Sequence, residues 1–334
     1  MIKISSHLPP NFDLRALQVF VVTAEQGGMT QSAKVLNLTQ SGVSQTIASL
    51  EEAIGGQLFD RSKRPIVLTS AGRALLNRSH NILADVQNAY LEASQSDLKE
   101  LVSLTIAMPQ SIANVLGIEL YKLKRDISAH WRIWAGFTPS HKDEFLSHAI
   151  DMMITEDSSI ADLSGLQRFP IYTEPYVLAF PKDYKGSMAL GAELHSMSLI
   201  RFASRSSVGK QIEAQLNRLS LDFSDTIEVD TASCQSSLIA SGYGWGITTP
   251  ICLMERPGLI SRIQVVPIER GSFSRHMSLV ARQQALGQTP SVIAQACRDI
   301  MQNSIISQTK NYLPDFYNAI SVSKDGPSSG KTGS

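Results

Sequence analysis

The chain has 334 residues, of which 43% are apolar, so it is long enough for two or three packed domains and too apolar to be disordered. Its 30 basic residues balance 30 acidic residues, so no overall charge attracts a nucleic acid and any such contact must be local. No apolar run approaches the roughly 20 residues that span a bilayer, and the first residues lack the apolar core of a secretory signal. We therefore expect a cytoplasmic protein with no membrane partner.

Three short helices are predicted near the start of the chain. Apolar residues recur at helical spacing over residues 14–24 and stop at a glycine pair. A second helix is predicted to run from Thr30, as its N-cap, to Leu36, and a third begins after a turn with Thr39 as its N-cap. Three such helices within about 45 residues are typical of a helix-turn-helix.

The third helix carries two different faces. An apolar stripe that would anchor it consists of Val43, Ile47, Leu50 and Ile54. Small polar side chains occupy the opposite face of its first turns, at Gln40, Ser41, Ser44, Gln45 and Thr46. In a helix-turn-helix the third helix enters the major groove of DNA, where its side chains must be polar and available to bases and phosphates. We therefore predict DNA contacts from this face, together with Thr30 on the preceding helix.

A small two-stranded wing is predicted next, at residues 58–59 and 66–68. Basic residues at its tip, Arg61, Lys63 and Arg64, would neutralise DNA phosphates. Thr69 then caps a helix that is predicted to continue to about residue 94 with an apolar stripe. Because a solitary helix of this length cannot bury its stripe, we expect it to pair with a second copy of itself.

Beyond residue 96, short apolar runs alternate with helical patterns. Strands are predicted at residues 102–108, 132–135, 151–154, 176–180, 199–202, 227–229, 246–248, 264–266 and 277–281. Helices are predicted at residues 116–123, 144–149, 210–219, 236–240 and 291–306. This alternation predicts parallel sheets with ligands at the carboxyl ends of the strands. The last eleven residues have almost nothing to bury, so we expect a disordered end.

Residues 12–94 resemble the DNA-binding part of the LysR-type transcriptional regulators. The resemblance rests on SAKVLNLTQSGVSQ, on SLEEAIGGQLFDR and on LTSAGRALL, which matches the start of the family's linker helix. The chain departs from the family at Gln45, where an arginine is usual, and at Gly42, where alanine or proline is frequent. The resemblance implies an N-terminal winged helix-turn-helix, all-α with a small β wing, over residues 12–68 and a dimerising linker helix over residues 69–96.

The resemblance continues to about residue 306 through SLTIAMPQSIANVL, SHAIDMMIT and GYGWGITTP, with His148 where the family commonly has glycine. It implies an α/β multidomain chain whose residues 97–306 form an effector domain similar to periplasmic binding proteins. The two α/β subdomains would be residues 97–172 with 267–306, and residues 173–266. Crossover strands would lie near residues 171–175 and 265–267, with a ligand cleft between the subdomains, and residues 307–334 would form a C-terminal tail.

Polar loops that follow the predicted strands are candidate effector contacts. Carboxylates are often held by backbone N–H groups at helix N-termini, with help from hydroxyls and a cation. The candidate contacts on these loops are Gln110, Ser111, Ser204, Arg205, Ser207, Thr231 and Thr248. We therefore expect a small-molecule effector with a carboxylate group.

The resemblance implies a regulator that binds double-stranded promoter DNA and responds to this effector. The family usually assembles as a dimer of dimers, so a dimer or tetramer is expected, with RNA polymerase as a further partner. No cofactor, metal site or catalytic residue is expected.

Three alternatives bear on this interpretation. An enzyme is disfavoured because the chain has no G-x-S-x-G elbow, GYGWG lacks dinucleotide-binding spacing, and SVGK lacks the upstream glycine of a phosphate loop. A redox-responsive regulator would use Cys234, predicted near a helix N-terminus, or Cys252. A constitutive regulator with a vestigial sensor domain is the third.

Overall fold

The computed structural model describes residues 8–63, 65–93, 101–136, 138–283, 286–324 and 328–329. The chain divides into two compact units, residues 1–98 and residues 99–334. Each unit is described by itself.

The first unit begins with the three predicted helices, α1 (Leu14–Glu25), α2 (Met29–Val35) and α3 (Gln40–Ile54). The predicted cap of α3 is confirmed, since Thr39 Oγ1 accepts the Gly42 N–H at 3.1 Å. The predicted cap of α2 is wrong. The Gly28 carbonyl already accepts the Ser32 N–H at 3.2 Å, so Gly28 is the N-cap and Thr30 lies inside the first turn.

Apolar side chains from all three helices and the wing form the core of this unit. Phe20, Val43, Ile47 and Leu50 are fully buried, whereas Ile54 is 38% exposed and lies outside the core. Gly55 is the C-cap that follows α3, and its φ of 77° would strain a residue with a side chain. The predicted two-stranded wing consists of β1 (Phe59–Asp60) and β2 (Val67–Leu68), which pair antiparallel.

The predicted long helix is present as α4 (Ser70–Ala93), and the rest of its expected length, residues 94–96, lies outside the described residues. Thr69 caps it, because its Oγ1 accepts the Gly72 N–H at 3.0 Å. The first turn of α4 lies directly on the wing. A Cβ at Gly72 would be 2.1 Å from the Leu58 carbonyl oxygen, so only glycine permits this approach.

The second unit is built on twelve described strands. They are β3 (Leu101–Pro109), β4 (Ser128–Gly136), β5 (Met152–Glu156), β6 (Leu166–Pro175), β7 (Val177–Pro181), β8 (Leu199–Phe202), β9 (Thr226–Val229), β10 (Gly246–Thr248), β11 (Ile263–Pro267), β12 (Ser274–Arg282), β13 (Ser321–Val322) and β14 (Ser328–Ser329). A seven-stranded sheet has the order β13-β6-β12-β5-β3-β4, with β14 also on β6, and we call the part built on it the first subdomain. The second subdomain is built on β10-β7-β11 and β8-β9.

The sheets are mixed rather than wholly parallel. The predicted parallel pairing is confirmed for β3 with β4 and β5, and for β8 with β9. Strands β6 and β12 pair antiparallel with each other and lead into the second subdomain, whose β7 and β11 also pair antiparallel. The second half of β6 was predicted as a crossover strand near residues 171–175, but its first half, residues 166–170, was not predicted, because it ends in Pro170. Pro170 lies at a register shift opposite Ser278, where a proline is tolerated.

The helices of the second unit lie between these strands. They are α5 (Gln110–Ile112), α6 (Ile118–Lys124), α7 (Thr138–Leu146), α8 (Ser207–Arg218), α9 (Ala232–Ala240), α10 (Pro250–Leu253), α11 (Thr289–Ile300) and α12 (Ile306–Tyr312). The helix predicted at residues 144–149 is misplaced, since α7 ends at Leu146. His148 has a φ of 62°, the left-handed conformation that favours glycine, and this ends the helical turn.

The chain after residue 306 packs on both subdomains. Leu313 and Phe316 are buried in a core cluster with Val177 of β7, whereas Ile320 is buried in a cluster with Ile171 of β6. Strand β13 then pairs with β6. Of the end that was predicted to be disordered, residues 325–327 and 330–334 lie outside the described residues, and β14 pairs with β6.

Within the described part of the chain, none of the helices has the length and apolar character needed to cross a membrane.

Candidate nucleic-acid interface and ligand cavity

Helix α3 is held by one face and presents the other to solvent. Val43, Ile47 and Leu50 are fully buried. The predicted DNA-contacting residues are on the outer face, where Gln40, Ser41 and Gln45 are exposed and Ser44 and Thr46 are half-buried. Burial of one face fixes the helix, so the polar face is displayed on a rigid support.

Some of these polar groups already have partners within the helix. The Thr46 hydroxyl donates to the Gly42 carbonyl at 2.9 Å, so only its lone pairs are available to a ligand. Ser41 Oγ lies 3.1 Å from Thr39 Oγ1 at the helix N-terminus. Thr30 is exposed in the first turn of α2.

The wing is tied to α3 by an ion pair. Arg61 Nη2 lies 2.7 Å from Glu51 Oε2, and the other carboxylate oxygen of Glu51 accepts the Leu58 N–H at 2.8 Å. Arg61 therefore positions the wing as well as adding charge. Lys63 is exposed at the wing tip, and Arg64 lies outside the described residues.

A cavity of about 300 Å³ lies between the two subdomains of the second unit. Its walls follow the carboxyl ends of β3, β4, β5, β8 and β9, the position at which α/β sheets bind ligands. The lining residues are Pro109, Gln110, Ser111, Gly136, Glu156, Phe202, Ser206, Ser207, Val208, Asp230, Thr231, Ala232 and Cys252. A larger groove of about 740 Å³, along residues 187–191 and 266–270, lacks these strand ends and is the weaker candidate.

Four of the predicted effector contacts meet at this cavity, namely Gln110, Ser111, Ser207 and Thr231. The hydroxyl of Thr231 also caps α9, accepting the Cys234 N–H at 3.2 Å. The neighbouring Ser206 also lines the cavity and caps α8, accepting the Gly209 N–H at 2.9 Å. Two helix N-termini therefore open onto the cavity.

Three predicted contacts do not line the cavity. Ser204 and Arg205 are exposed, and the Arg205 guanidinium pairs with the carboxylate of Asp230, which does line it. Thr248 is completely buried at the end of β10, where the strand pairs with β7. The cation expected to hold a carboxylate is thus paired with an acid.

A buried charge cluster behind the cavity was missed by the sequence analysis. Arg275 of β12 lies opposite Glu174 of β6, and its Nε and Nη2 donate to Glu174 Oε1 at 2.7 and 2.6 Å. Glu174 Oε2 accepts the Ile251 N–H at 2.9 Å. Because β6 and β12 both lead into the second subdomain, this ion pair lies at the junction of the two sheets.

Glu156 joins this cluster to the cavity. It is 1% exposed, and its Oε1 lies 3.8 Å from Arg275 Nη1, while its Oε2 accepts an N–H of Gln211 at 2.6 Å. Burial raises the pKa of Glu156 to about 7, against the lowering effect of Arg275. The sequence feature that could have identified Glu156 is its position directly after the apolar run MMIT, at the end of β5.

The three cysteines carry free thiols in different settings. Cys252 lines the cavity, and burial raises the pKa of its thiol, although Arg275 Nη2 lies 3.7 Å from its Sγ. Cys297 is buried in the first subdomain, where burial raises the pKa to about 12. Cys234 is exposed in the first turn of α9.

Two family models together match most of the chain. Residues 14–73 match a bacterial regulatory helix-turn-helix protein of the lysR family, and residues 103–304 match the LysR substrate binding domain. Among curated proteins, the HTH-type transcriptional regulator YbhD of Escherichia coli is 24% identical over 82% of this chain and 87% of its own length. The nitrogen assimilation regulatory protein nac of Klebsiella aerogenes is 25% identical over 70% of this chain and 76% of its own length.

Solved structures share the fold at low identity. A full-length cysteine variant of OxyR from Pseudomonas aeruginosa superposes with a TM-score of 0.59 and 19% identity, over 86% of this chain and 95% of that one. A hydrogen-peroxide-bound cysteine variant of OxyR from Corynebacterium glutamicum gives 0.56 and 19%, over 92% and 98% of the two chains.

Proposed function

Because the chain belongs to the LysR family of bacterial transcriptional regulators, we propose that α3 reads its DNA site and that the 300 Å³ cavity holds its effector. The protein is a DNA-binding transcriptional regulator with an effector-binding domain, and its family consists of regulators rather than enzymes. The observation that supports our assignment best is the display of a polar face on a helix whose other face is fully buried.

For DNA, we assign base contacts to Gln45 and Ser44 and phosphate contacts to Lys63. Gln45 is exposed and has the amide group that pairs with adenine in the major groove. Ser44 can contact either a base or a phosphate. The remaining proposed contacts, at the helix starts and along the wing, are Thr30, Gln40, Ser41, Thr46, Arg61 and Arg64.

For the effector, we assign direct contacts to the predicted residues that line the cavity, Gln110, Ser111, Ser207 and Thr231. Arg205 acts through its partner Asp230. We keep the division into residues 12–68 for DNA binding, 69–96 for the linker and 97–306 for effector binding as part of the proposal. The chain from 307 to 322 belongs with the effector domain, because its apolar residues are buried there.

Self-association through α4 completes the proposal. Ile82, Val86 and Tyr90 are 37%, 41% and 72% exposed along this helix, an apolar stripe that a second copy would cover. A symmetric pair of recognition helices reads pseudo-palindromic half-sites. We propose a dimer or dimer of dimers on promoter DNA in the cytoplasm, where RNA polymerase is available as a further partner.

The test is to select fragments of the source genome on the purified full-length protein at physiological salt and to footprint the tightest. Two protected half-sites in successive turns of the helix beside a promoter are expected. The Gln45→Ala variant should relax the preference at one base pair by about 1 to 3 kcal/mol, whereas Gln26→Ala, at the end of α1, should not. Weak, uniform and steeply salt-dependent binding by the wild type would contradict the proposal.

A second candidate signal is oxidation, favoured by the exposure of Cys234 in the first turn of α9. Treatment with hydrogen peroxide should then change the footprint, and Cys234→Ser should abolish the change. A footprint that peroxide leaves unaltered would remove this candidate. A constitutive regulator would respond neither to peroxide nor to any ligand of the cavity.

A further inference from the structure

The side chains of the cavity wall carry the wrong charge for an anion, and the Ser206 and Thr231 hydroxyls already accept one N–H at each of the two helix N-termini that open onto it. Glu156 and Asp230 contribute two carboxyl groups, and none of the described residues along this cavity is Lys, Arg or His. Arg205 and Arg275 are nearby, but each is paired with an acid, Asp230 and Glu174 respectively. Asp230 is likewise taken up by Arg205, so Glu156 is the acid of the described wall that no arginine hydrogen-bonds, since Arg275 Nη1 is 3.8 Å from it. A bound carboxylate would therefore add a fourth acid to Glu156, Asp230 and Glu174, which share two arginines.

We propose that the effector is a compact cation, such as a primary amine, whose N–H groups are accepted by Glu156, with the Arg205-paired carboxylate of Asp230 as a second, weaker acceptor. This inference rests on the proposed function, because it concerns the same cavity. It replaces the expected carboxylate with a ligand of opposite charge.

The position of Glu156 suits it to this role. Its side chain is almost completely buried, and a charge-assisted hydrogen bond in such surroundings is stronger than one in water. Its Oε1 is 3.8 Å from Arg275 Nη1, which is beyond hydrogen-bond distance, so Arg275 offsets its charge without occupying that oxygen. Of these two side chains, Glu156 alone lines the cavity.

The rest of the wall fits a short hydrocarbon body. Phe202, Val208, Ala232 and Pro109 provide apolar surface beside the polar groups. A volume of about 300 Å³ lies at the lower end of the range for small-molecule pockets. An amine on a small ring or short chain would fill the space and leave its ammonium at the acids.

The titration of the site strengthens the argument. Burial is the main cause that raises the pKa of Glu156, while Arg275 lowers it and Glu174 raises it further. A cation placed beside Glu156 favours its ionised form and releases a proton, whereas an anion takes one up. Burial lowers the pKa of His141, packed behind Gly136, and so disfavours a competing positive charge there.

The probes for the test are cyclohexylamine, cyclohexanecarboxamide and cyclohexanecarboxylate, which share a ring and differ in charge. Isothermal titration calorimetry of the full-length protein at about pH 8 measures their affinities. The amine should bind at least roughly tenfold more tightly than the carboxylate, the difference expected from one charge-assisted hydrogen bond. Its affinity should also rise up to roughly tenfold from about pH 6 to about pH 8, as Glu156 ionises.

Matched variants test which carboxyl group binds the amine. Glu156→Gln keeps the size of the side chain, and it should lower amine affinity roughly tenfold and remove its pH dependence. Asp230→Asn, at an exposed position, should lower it less. Glu228→Gln removes the same charge from an exposed position of β9 outside the cavity and should have no effect.

The outcomes separate this inference from the proposed function. Tighter binding of the carboxylate would overturn the inference and leave the cavity standing as the effector site. Amine binding that Glu156→Gln leaves unchanged, or binding of none of the three probes, would also overturn it. Failure of the proposed function appears elsewhere, as a loss of sequence-specific footprints.

Discussion

Replacing Glu156 with Gln should make the effector domain more stable at neutral and alkaline pH, although it removes part of a charge cluster. Burial holds the pKa of Glu156 at about 7 in the folded protein, against an ordinary value of 4.5. Between these two values the folded state binds more protons than the unfolded state, so stability falls as the pH rises. The uncharged glutamine amide avoids this loss, and its oxygen can still accept the Gln211 N–H.

The size of the effect follows from the same two values. A rise from 4.5 to about 7, at about 1.36 kcal/mol per pH unit, corresponds to on the order of 3 kcal/mol. Relative to wild type, Glu156→Gln should therefore gain on the order of 3 kcal/mol of unfolding free energy between about pH 4 and about pH 8. The gain should be complete above the folded-state pKa.

Urea unfolding followed by tryptophan fluorescence measures this gain in the effector domain itself. All three tryptophans lie in residues 99–334, and Trp245 is completely buried in the second subdomain. The exposed Glu228→Gln variant is the control, and its unfolding free energy should change with pH as that of wild type does. If the unfolding free energy of Glu156→Gln also changes with pH as that of wild type does, the pKa of Glu156 is the same in the folded and unfolded states and burial does not raise it.

Three other substitutions test the packing of the two units and the charge of the wing. Gly72→Ala should destabilise the first unit by at least about 2 kcal/mol, since its Cβ would be 2.1 Å from the Leu58 carbonyl oxygen. Hydrogen exchange of α4 would show the loss, and unaltered protection would contradict the contact. Lys63→Ala should weaken binding to all DNA sequences alike and reduce the salt slope by about 1, and a wild-type slope would exclude a phosphate contact. Phe316→Ala should cost the second unit about 3 to 5 kcal/mol in urea unfolding, and a cost below about 1 would show that the packing of the C-terminal segment contributes little.

The first unit was predictable because its signals are local. Thr39 and Thr69 cap their helices as the sequence indicates, since the cap and the helix are neighbours in the chain. Thr30 failed because glycine can also occupy an N-cap, and the choice between them depends on the turn before it. Spacing of apolar residues was sufficient for the fold of this unit.

The cavity was predictable only in part. Loops that follow parallel strands lie at the same edge of a sheet. For this reason the sequence could predict that Gln110, Ser111, Ser207 and Thr231 line the same cavity. The pairing of Glu174 with Arg275 joins residues 101 positions apart, and no periodicity reports such a contact. The pairing of Arg205 with Asp230 was not predicted for the same reason, since Asp230 lies on another loop.

The C-terminal segment gives the effector domain a third strut between its halves. Two strand connections, at Pro175 to Val177 and at Pro267 to Ser274, already join the two sheets. The segment from Leu313 to Ile320 is anchored by buried side chains at one end in each half. Any rotation of one half against the other must move this segment, so the length of the segment limits how far such a rotation can close the cavity. Residues inserted between Phe316 and Ile320 would lengthen the strut and widen the range of closure, without any change to the cavity wall.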